Sequence, residues 1–107
     1  AFLMVRMMTE YGRFAVPMKL FEALGAALPV ITNADCEAGD WVDAEGVGWT
    51  VNSRDQLVAL LEQLASAPDS VAEKAARSEI VRWDHTWDAR ARQIVRTLHQ
   101  YQIAGTA

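Results

Sequence analysis

The sequence predicts an α/β fold, with a parallel sheet of about three strands, flanking helices and a helical C-terminus. Three short, largely apolar runs, Ala1–Val5, Pro29–Thr32 and Gly46–Val51, have the length of strands. Helical signatures stand between and after them, the clearest being Leu57, Leu60, Leu61 and Leu64 at i, i+3, i+4 and i+7. Strands that alternate with helices pack as parallel sheets covered by helices.

Taken in order, Ala1 to Val5 is apolar throughout, which suits a strand buried on both faces. Arg6 to Val16 mixes polar residues with Tyr11, Gly12 and Phe14 and is predicted to be a loop. Pro17 then opens a helix at a position where a missing N–H costs nothing. Phe21 and Leu24 share one face of that helix, and Gly25 or the alanines after it end it. Pro29-Val30-Ile31-Thr32 is the second strand. Asn33 to Val47 carries five acidic residues and is expected to be an acidic loop, followed by the third strand. Ser53 with Gln56 forms a capping box at the start of the Leu57–Leu64 helix. Pro68-Asp69-Ser70 breaks it, and Ser70 with Glu73 is expected to cap a further helix reaching about Arg82. The last helix places Trp87, Ala91, Ile94, Leu98 and Tyr101 on one face, with Gly105 in a fraying tail. Trp83 and Trp87 are expected to pack that helix against the sheet.

The 107 residues, 51% hydrophobic, suffice for one core but not two. The net charge of −4 and the scattered basic residues argue against nucleic-acid binding. No apolar stretch approaches a membrane span, and no basic stretch precedes an apolar one at the start. A single cysteine, Cys36, allows no internal disulfide, so a cytoplasmic setting is expected. Its neighbours Asp35 and Glu37 disfavour a thiolate. The acidic loop lacks EF-hand spacing, His85 and His99 lack partners at metal-ligand spacing, and no metal site is expected. The arginines at 77, 82, 90, 92 and 96 are spread around the helices and read as a solvated surface, so membrane association has no support in the sequence.

The stretch that carries chemistry is Tyr11 to Thr32, YGRFAVPMKLFEALGAALPVIT. It runs from the end of a strand through a polar loop to a helix start. Unpaired amides and the positive dipole end make such a start an anion site, and ligands bind at the carboxyl ends of strands in open α/β sheets. Lys19 adds a full positive charge. Glu22, three residues on, offers a carboxylate to a diol such as ribose. The alternative is a solvated Lys19 paired with Glu22 at i+3.

The segment PMKLFEALGAALPVIT resembles the motif region of GT-B-fold glycosyltransferases, in particular the retaining, family 4 (group 1-like) enzymes. Pro17, Lys19, Phe21, Glu22, Pro29, Val30 and Ile31 match the pattern, while Ala27 stands where glycine is usual. GVGWTV and the final HTWDARARQIVRTLHQY resemble later parts of the same domain. The resemblance implies that residues 1–107 are part of a C-terminal, Rossmann-like nucleotide-sugar-binding domain. It implies that Pro17, Met18 and Lys19 surround the donor diphosphate, with amide N–H groups from Met18 and Lys19 only. Glu22 would hold the ribose hydroxyls. The first glutamate of the family's E-x(7)-E motif is absent, and Phe14 stands in its place, where it would pack on the sugar or base or else in the core. The donor is a substrate, and no cofactor is expected. The implied partners are the nucleotide-sugar donor and an N-terminal domain outside this sequence, without which the chain is expected to be inactive. The sequence leaves open transfer to phosphate, and a stand-alone interaction module that dimerises through the exposed sheet edge at Ala1–Val5.

Overall fold

The computed structural model describes residues 1–5 and 9–105, and the side chains of those up to 102. A parallel sheet in the order β1 (Phe2–Met4), β2 (Val30–Asn33), β3 (Gly48–Val51) forms the centre. Phe2 is in register with Val30, and Val30 with Gly48. Around the sheet stand α1 (Glu10–Phe14), α2 (Met18–Gly25), α3 (Glu37–Glu45), α4 (Arg54–Ser66), α5 (Pro68–Val81), a 3-10 turn (Arg82–His85) and α6 (Trp87–Gly105).

The two faces of the sheet are covered separately. On one face Leu20, Ala23 and Leu24 of α2 pack with Val30 of β2, with Ala38 and Val42 of α3 and with Val81 of α5. On the other, Ile31 and Val51 pack with Leu64 of α4, with Leu57, Leu60 and Val71 beside them. The period-2 alternation of a strand sends Val30 and Ile31 to opposite faces. Thr32 is buried in this central strand, and its hydroxyl donates to the Met4 carbonyl at 3.0 Å. β1 departs from the expected doubly buried strand. It lies at the sheet edge, and Leu3, on the face away from α2, is 53% exposed because no helix among the described residues covers it there.

Three further expectations need correction. Residues 37–45, predicted as loop, form α3. The thiol of Cys36 caps it by accepting from the Gly39 amide at 3.4 Å, and Glu37 and Asp40 sit favourably in its first turn. Within the expected loop at 6–16, Thr9 caps the short α1, while residues 6–8 lie outside the described residues. α5 starts at Pro68 rather than at Ser70. Proline is pre-set for the first helical position, so the helix begins there without a side-chain cap. The predicted cap of α4 is present: Ser53 accepts from the Gln56 amide at 3.2 Å, and the Gln56 side chain accepts from the Asn52 amide at 2.7 Å.

The two helix-to-strand junctions are built alike. After α2, the Leu28 amide donates to the Ala23 carbonyl and the Ala27 amide to the Leu24 carbonyl. After α3, the Val47 amide reaches Val42 and the Gly46 amide reaches Asp43. This paired pattern requires a left-handed residue at its hinge. Gly46 takes that role at φ +70°, and Ala27 takes it at φ +56°. Ala27 occupies the position where the family resemblance expects glycine. Arg77 of α5 and Arg82 of the 3-10 turn reach the same helix ends. Arg77 donates to the Glu45 carbonyl at 2.9 Å, and Arg82 donates to the Gly25 carbonyl at 3.1 Å. Each places a cation at the negative end of a helix.

His85, in the 3-10 turn, locks this region to α2 and α3. Its ring lies 5.7 Å from Phe21 and 5.0 Å from Trp41, which themselves meet edge to face at 5.5 Å. Arg90 lies 2.6 Å from His85 Nδ1. A guanidinium only donates, so Nδ1 accepts and the ring proton sits on Nε2. Burial first, then the Arg90 charge, hold the imidazole below its ordinary value of 6.5, against the opposing pull of Glu45 and Asp84. The packing of Trp83 and Trp87 differs from expectation. Both are mostly exposed, because His85 and Phe21 fill the contact they were expected to make.

Two expectations follow for stability. Ala27→Gly relieves the left-handed strain and should raise stability by about 1 kcal/mol in urea unfolding. At Gly48 a Cβ would fall on the Val30 carbonyl of the paired strand, so Gly48→Ala should cost more than about 3 kcal/mol in the same assay. The depressed His85 value fixes the sign of a pH effect. The folded ring prefers to be neutral, so its stabilisation is full above its unfolded value of about 6.5 and is lost as the pH falls toward the folded value. The urea midpoint of the wild type should therefore drop more steeply between neutral pH and about pH 5 than that of His85→Gln.

Candidate functional site

Parallel strands joined by helices bring the helix starts to one edge. β1, β2 and β3 all end at the carboxyl edge of the sheet; after β1 the chain passes through the short α1 into α2, and after β2 and β3 it turns into α3 and α4. The starts of α3 and α4 are closed by side chains, Cys36 and Ser53. That of α2 is not. Its N-cap is Pro17, at φ −65° and ψ 145°, with no side-chain bond to the helix. The Leu20 amide already bonds back to the Pro17 carbonyl at 3.1 Å. The Met18 and Lys19 amides precede the first intrahelical acceptor, so they remain the open donors of this helix start.

The side chains follow the amphipathic division of α2. Leu20, Ala23 and Leu24 are buried, whereas Met18, Lys19 and Glu22 lie on the solvent face. The helix therefore brings together four of the five residues singled out in the sequence: Pro17, Met18, Lys19 and Glu22. Lys19 and Glu22 form no hydrogen bond or ion pair with each other, so the i+3 pairing considered from sequence is not formed. Among the described residues the ion pair is Arg77 with Glu45, at 4.0 Å. Phe14 ends α1 and is 69% exposed, which removes the core role considered for it.

Sequence reasoning passed over two neighbours of this edge. Tyr11, on α1 three residues before Phe14, is as open to solvent as Phe14 and makes a second exposed ring. Asp35, between β2 and α3, holds a left-handed φ of +56°. The aromatic spacing in YGRF was the available signal for Tyr11. Asp35 gave none, since aspartate enters that conformation without a sequence marker as strong as glycine. His99 lies exposed on α6.

A hollow of about 530 Å³ lies elsewhere, along the outer side of β3, with Asp43, Trp49, Gln56 and Lys74 among its lining residues. Its polar groups already engage one another: Thr50 donates to Asp43 at 3.1 Å, and Lys74 stands 6.0 Å from the Trp49 ring. The α2 start, by contrast, offers unengaged donors, a free cation and a free carboxylate on an open surface. That set suits an anion attached to a hydroxylated ring.

Comparison with known proteins gives the chain's family. Residues 2–96 match the family described as glycosyl transferase-like. The chain is also similar to chitobiosyldiphosphodolichol beta-mannosyltransferase of Arthroderma benhamiae (strain ATCC MYA-4681 / CBS 112371), with 37% identity over 78 residues. That alignment covers 68% of this chain and 17% of the relative, so the chain spans about one sixth of that protein's length. No solved structure matches it. The family match takes in β1 through most of α6, including the whole of the α2 site, and the chain belongs to the glycosyl transferase-like family.

Proposed function

We propose that the chain is the donor-holding, C-terminal part of a GT-B glycosyltransferase, and that the start of α2 is its diphosphate seat. The observation that carries this reading is the uncapped start of α2, with open amides at Met18 and Lys19 and an unpaired Lys19 beside them. A diphosphate bound there gains two amide hydrogen bonds, the helix dipole and a cation. Glu22, one turn further along the same exposed face, accepts from the ribose 2′- and 3′-hydroxyls. Phe14 and Tyr11 offer apolar rings toward the sugar or base.

The reaction in this reading moves a glycosyl unit from a nucleotide-diphosphate sugar to an acceptor hydroxyl. Negative charge builds on the departing diphosphate as the glycosidic bond breaks. Groups already aimed at that charge lower the barrier more than groups that must reorganise. The relative's name describes mannosyl transfer to a diphosphate-linked lipid saccharide. Glycosyl transfer onto a saccharide acceptor is therefore the form of the reaction this chain would share. Acceptor binding falls to parts of the protein outside this chain, so these residues alone bind donor without turnover.

Titrating the labelled chain with UDP and GDP should move the amide resonances of Met18 and Lys19 and the side-chain carboxyl of Glu22. Lys19→Ala and Glu22→Ala should each weaken binding about ten- to a hundredfold, as removal of a charged hydrogen-bonding partner does. Resonances at 18–22 that stay still at saturating nucleotide, or shifts confined to the β3 hollow, would sink the assignment.

A further inference from the structure

α6 leaves the rest of the protein through a narrow joint. Within the described residues its contacts run chiefly through the 3-10 turn, Arg82–His85. Between the turn and the helix stands Thr86, with φ −77° and ψ 163°. This extended residue interrupts the helical path, and its hydroxyl caps α6 by accepting from the Ala89 amide at 3.0 Å. A cap orders a helix start, but it does not fix the direction in which the helix leaves the body. The torsions of one such element-terminal residue are enough to absorb a change of direction.

A side-chain bond crosses this joint. Arg90 Nη2 lies 2.6 Å from His85 Nδ1, while Arg90 Nη1 donates to Gln93 Oε1 at 3.2 Å and so keeps the guanidinium on α6. On the body side the His85 ring rests against Phe21 of α2 and Trp41 of α3. Contact therefore runs from α2 and α3 through His85 and Arg90 into α6. It closes only while Nδ1 has a lone pair to offer, since a guanidinium donates and cannot accept. A proton on Nδ1 turns that acceptor into a donor and sets two positive charges side by side.

The charges around the ring favour a change of partner. Arg90 on α6 opposes a protonated ring, whereas Glu45 at the end of α3 and Asp84 in the turn attract it. α2 meets the ring with the uncharged Phe21. Of the neighbouring arginines, Arg77 of α5 is paired with Glu45, and Arg82 is bound to the Gly25 carbonyl. Protonation thus moves the attraction from α6 to the body. We propose that His85 is a proton-operated latch across the joint: neutral, it holds α6 in one direction through Arg90, and protonated, it releases α6 while the sheet body stays folded. Burial and the Arg90 charge disfavour the proton in the latched state, and by linkage the proton disfavours the latched state equally. His85 and His99 are the two histidines, the side chains whose ordinary values fall between about pH 5 and 8. His99 lies exposed on α6, well beyond the joint.

The direction of α6 can be read as a distance between spin labels at two exposed positions, Glu62→Cys on α4 and Leu98→Cys on α6, in a Cys36→Ser background. The His85 ring and the sheet amides are followed by NMR in parallel. At about pH 7.5 one narrow distance is expected. It should be lost as His85 takes up its proton, below the ordinary value of 6.5, with the sheet amides unchanged. Arg90→Leu should lack the narrow distance already at neutral pH, and its His85 should protonate at a higher pH than in the wild type. His85→Asn, whose side-chain oxygen replaces Nδ1 as an acceptor that does not titrate, should keep the narrow distance down to about pH 5. His99→Gln should behave as the wild type. A distance that stays narrow once His85 is protonated would overturn the proposal, as would a narrow distance in Arg90→Leu. Loss of the sheet amides in the same step would overturn it too, because His85 would then titrate with the whole fold.

Discussion

Everything in this fold depends on keeping the central strand dry on both faces. Val30 and Ile31 are each 1% exposed, and Thr32 between β1 and β3 is closed by its own hydrogen bond. A strand in that position needs a helix above and a helix below. A parallel connection supplies them only by returning the chain across the sheet after every strand. α2 and α3 cover one face and the long α4 the other. The consequence is electrostatic as well as steric. Each return starts a helix at the carboxyl edge, so burying β2 gathers positive helix ends along one side of the molecule.

Three such ends arise from the same constraint, yet they are not equivalent. Cys36 and Ser53 spend side-chain acceptors on their own helices, which stabilises each helix start and leaves little for a ligand. Proline at the start of α2 has no such side chain, and its fixed φ holds the chain extended up to the first helical residue. The helix forgoes a cap, a loss of about 1 kcal/mol, and keeps its donors open. Lys19 increases that cost, since a cation beside a positive helix end is unfavourable until an anion arrives. In the proposed reading a bound diphosphate supplies the negative charge that this arrangement lacks. The opposite helix ends show the reverse economy: Arg77 and Arg82 are placed where their charge stabilises.

Much of this was legible in the sequence because it follows short-range rules. The apolar runs marked β2 and β3, the leucine spacing marked α4, and Pro17 marked α2, which carries four of the five candidate residues. What escaped was governed by weaker or longer-range signals. Cys36 is an uncommon cap, so the start of α3 was hidden, although Glu37, Asp40 and the closing Gly46 are consistent with a helix there. Ser70 and Glu73 match a capping box, but Pro68 two residues earlier begins the helix first. The exposure of Leu3 depends on which strand lies at the edge, and that is a property of topology, not of the run Ala1–Val5. Phe14 was undecided between core and surface because α1, the element that carries it, is too short to show a period.

The tryptophans teach a sharper point about amphipathic patterns. Trp87, Ile94, Leu98 and Tyr101 line up on one face, and that alignment alone predicts packing on the sheet. The position that would bring α6 onto the body is already taken, because the His85 ring fills the space between Phe21 and Trp41. Arg90 then fixes the first turn of α6 to that ring, and the remaining turns point away from the sheet. Periodicity states that a helix has a face to bury, and it is silent about what buries it. Only the competition among side chains at the junction decides that, and here His85, two residues before Trp87, takes the contact with Phe21 and Trp41.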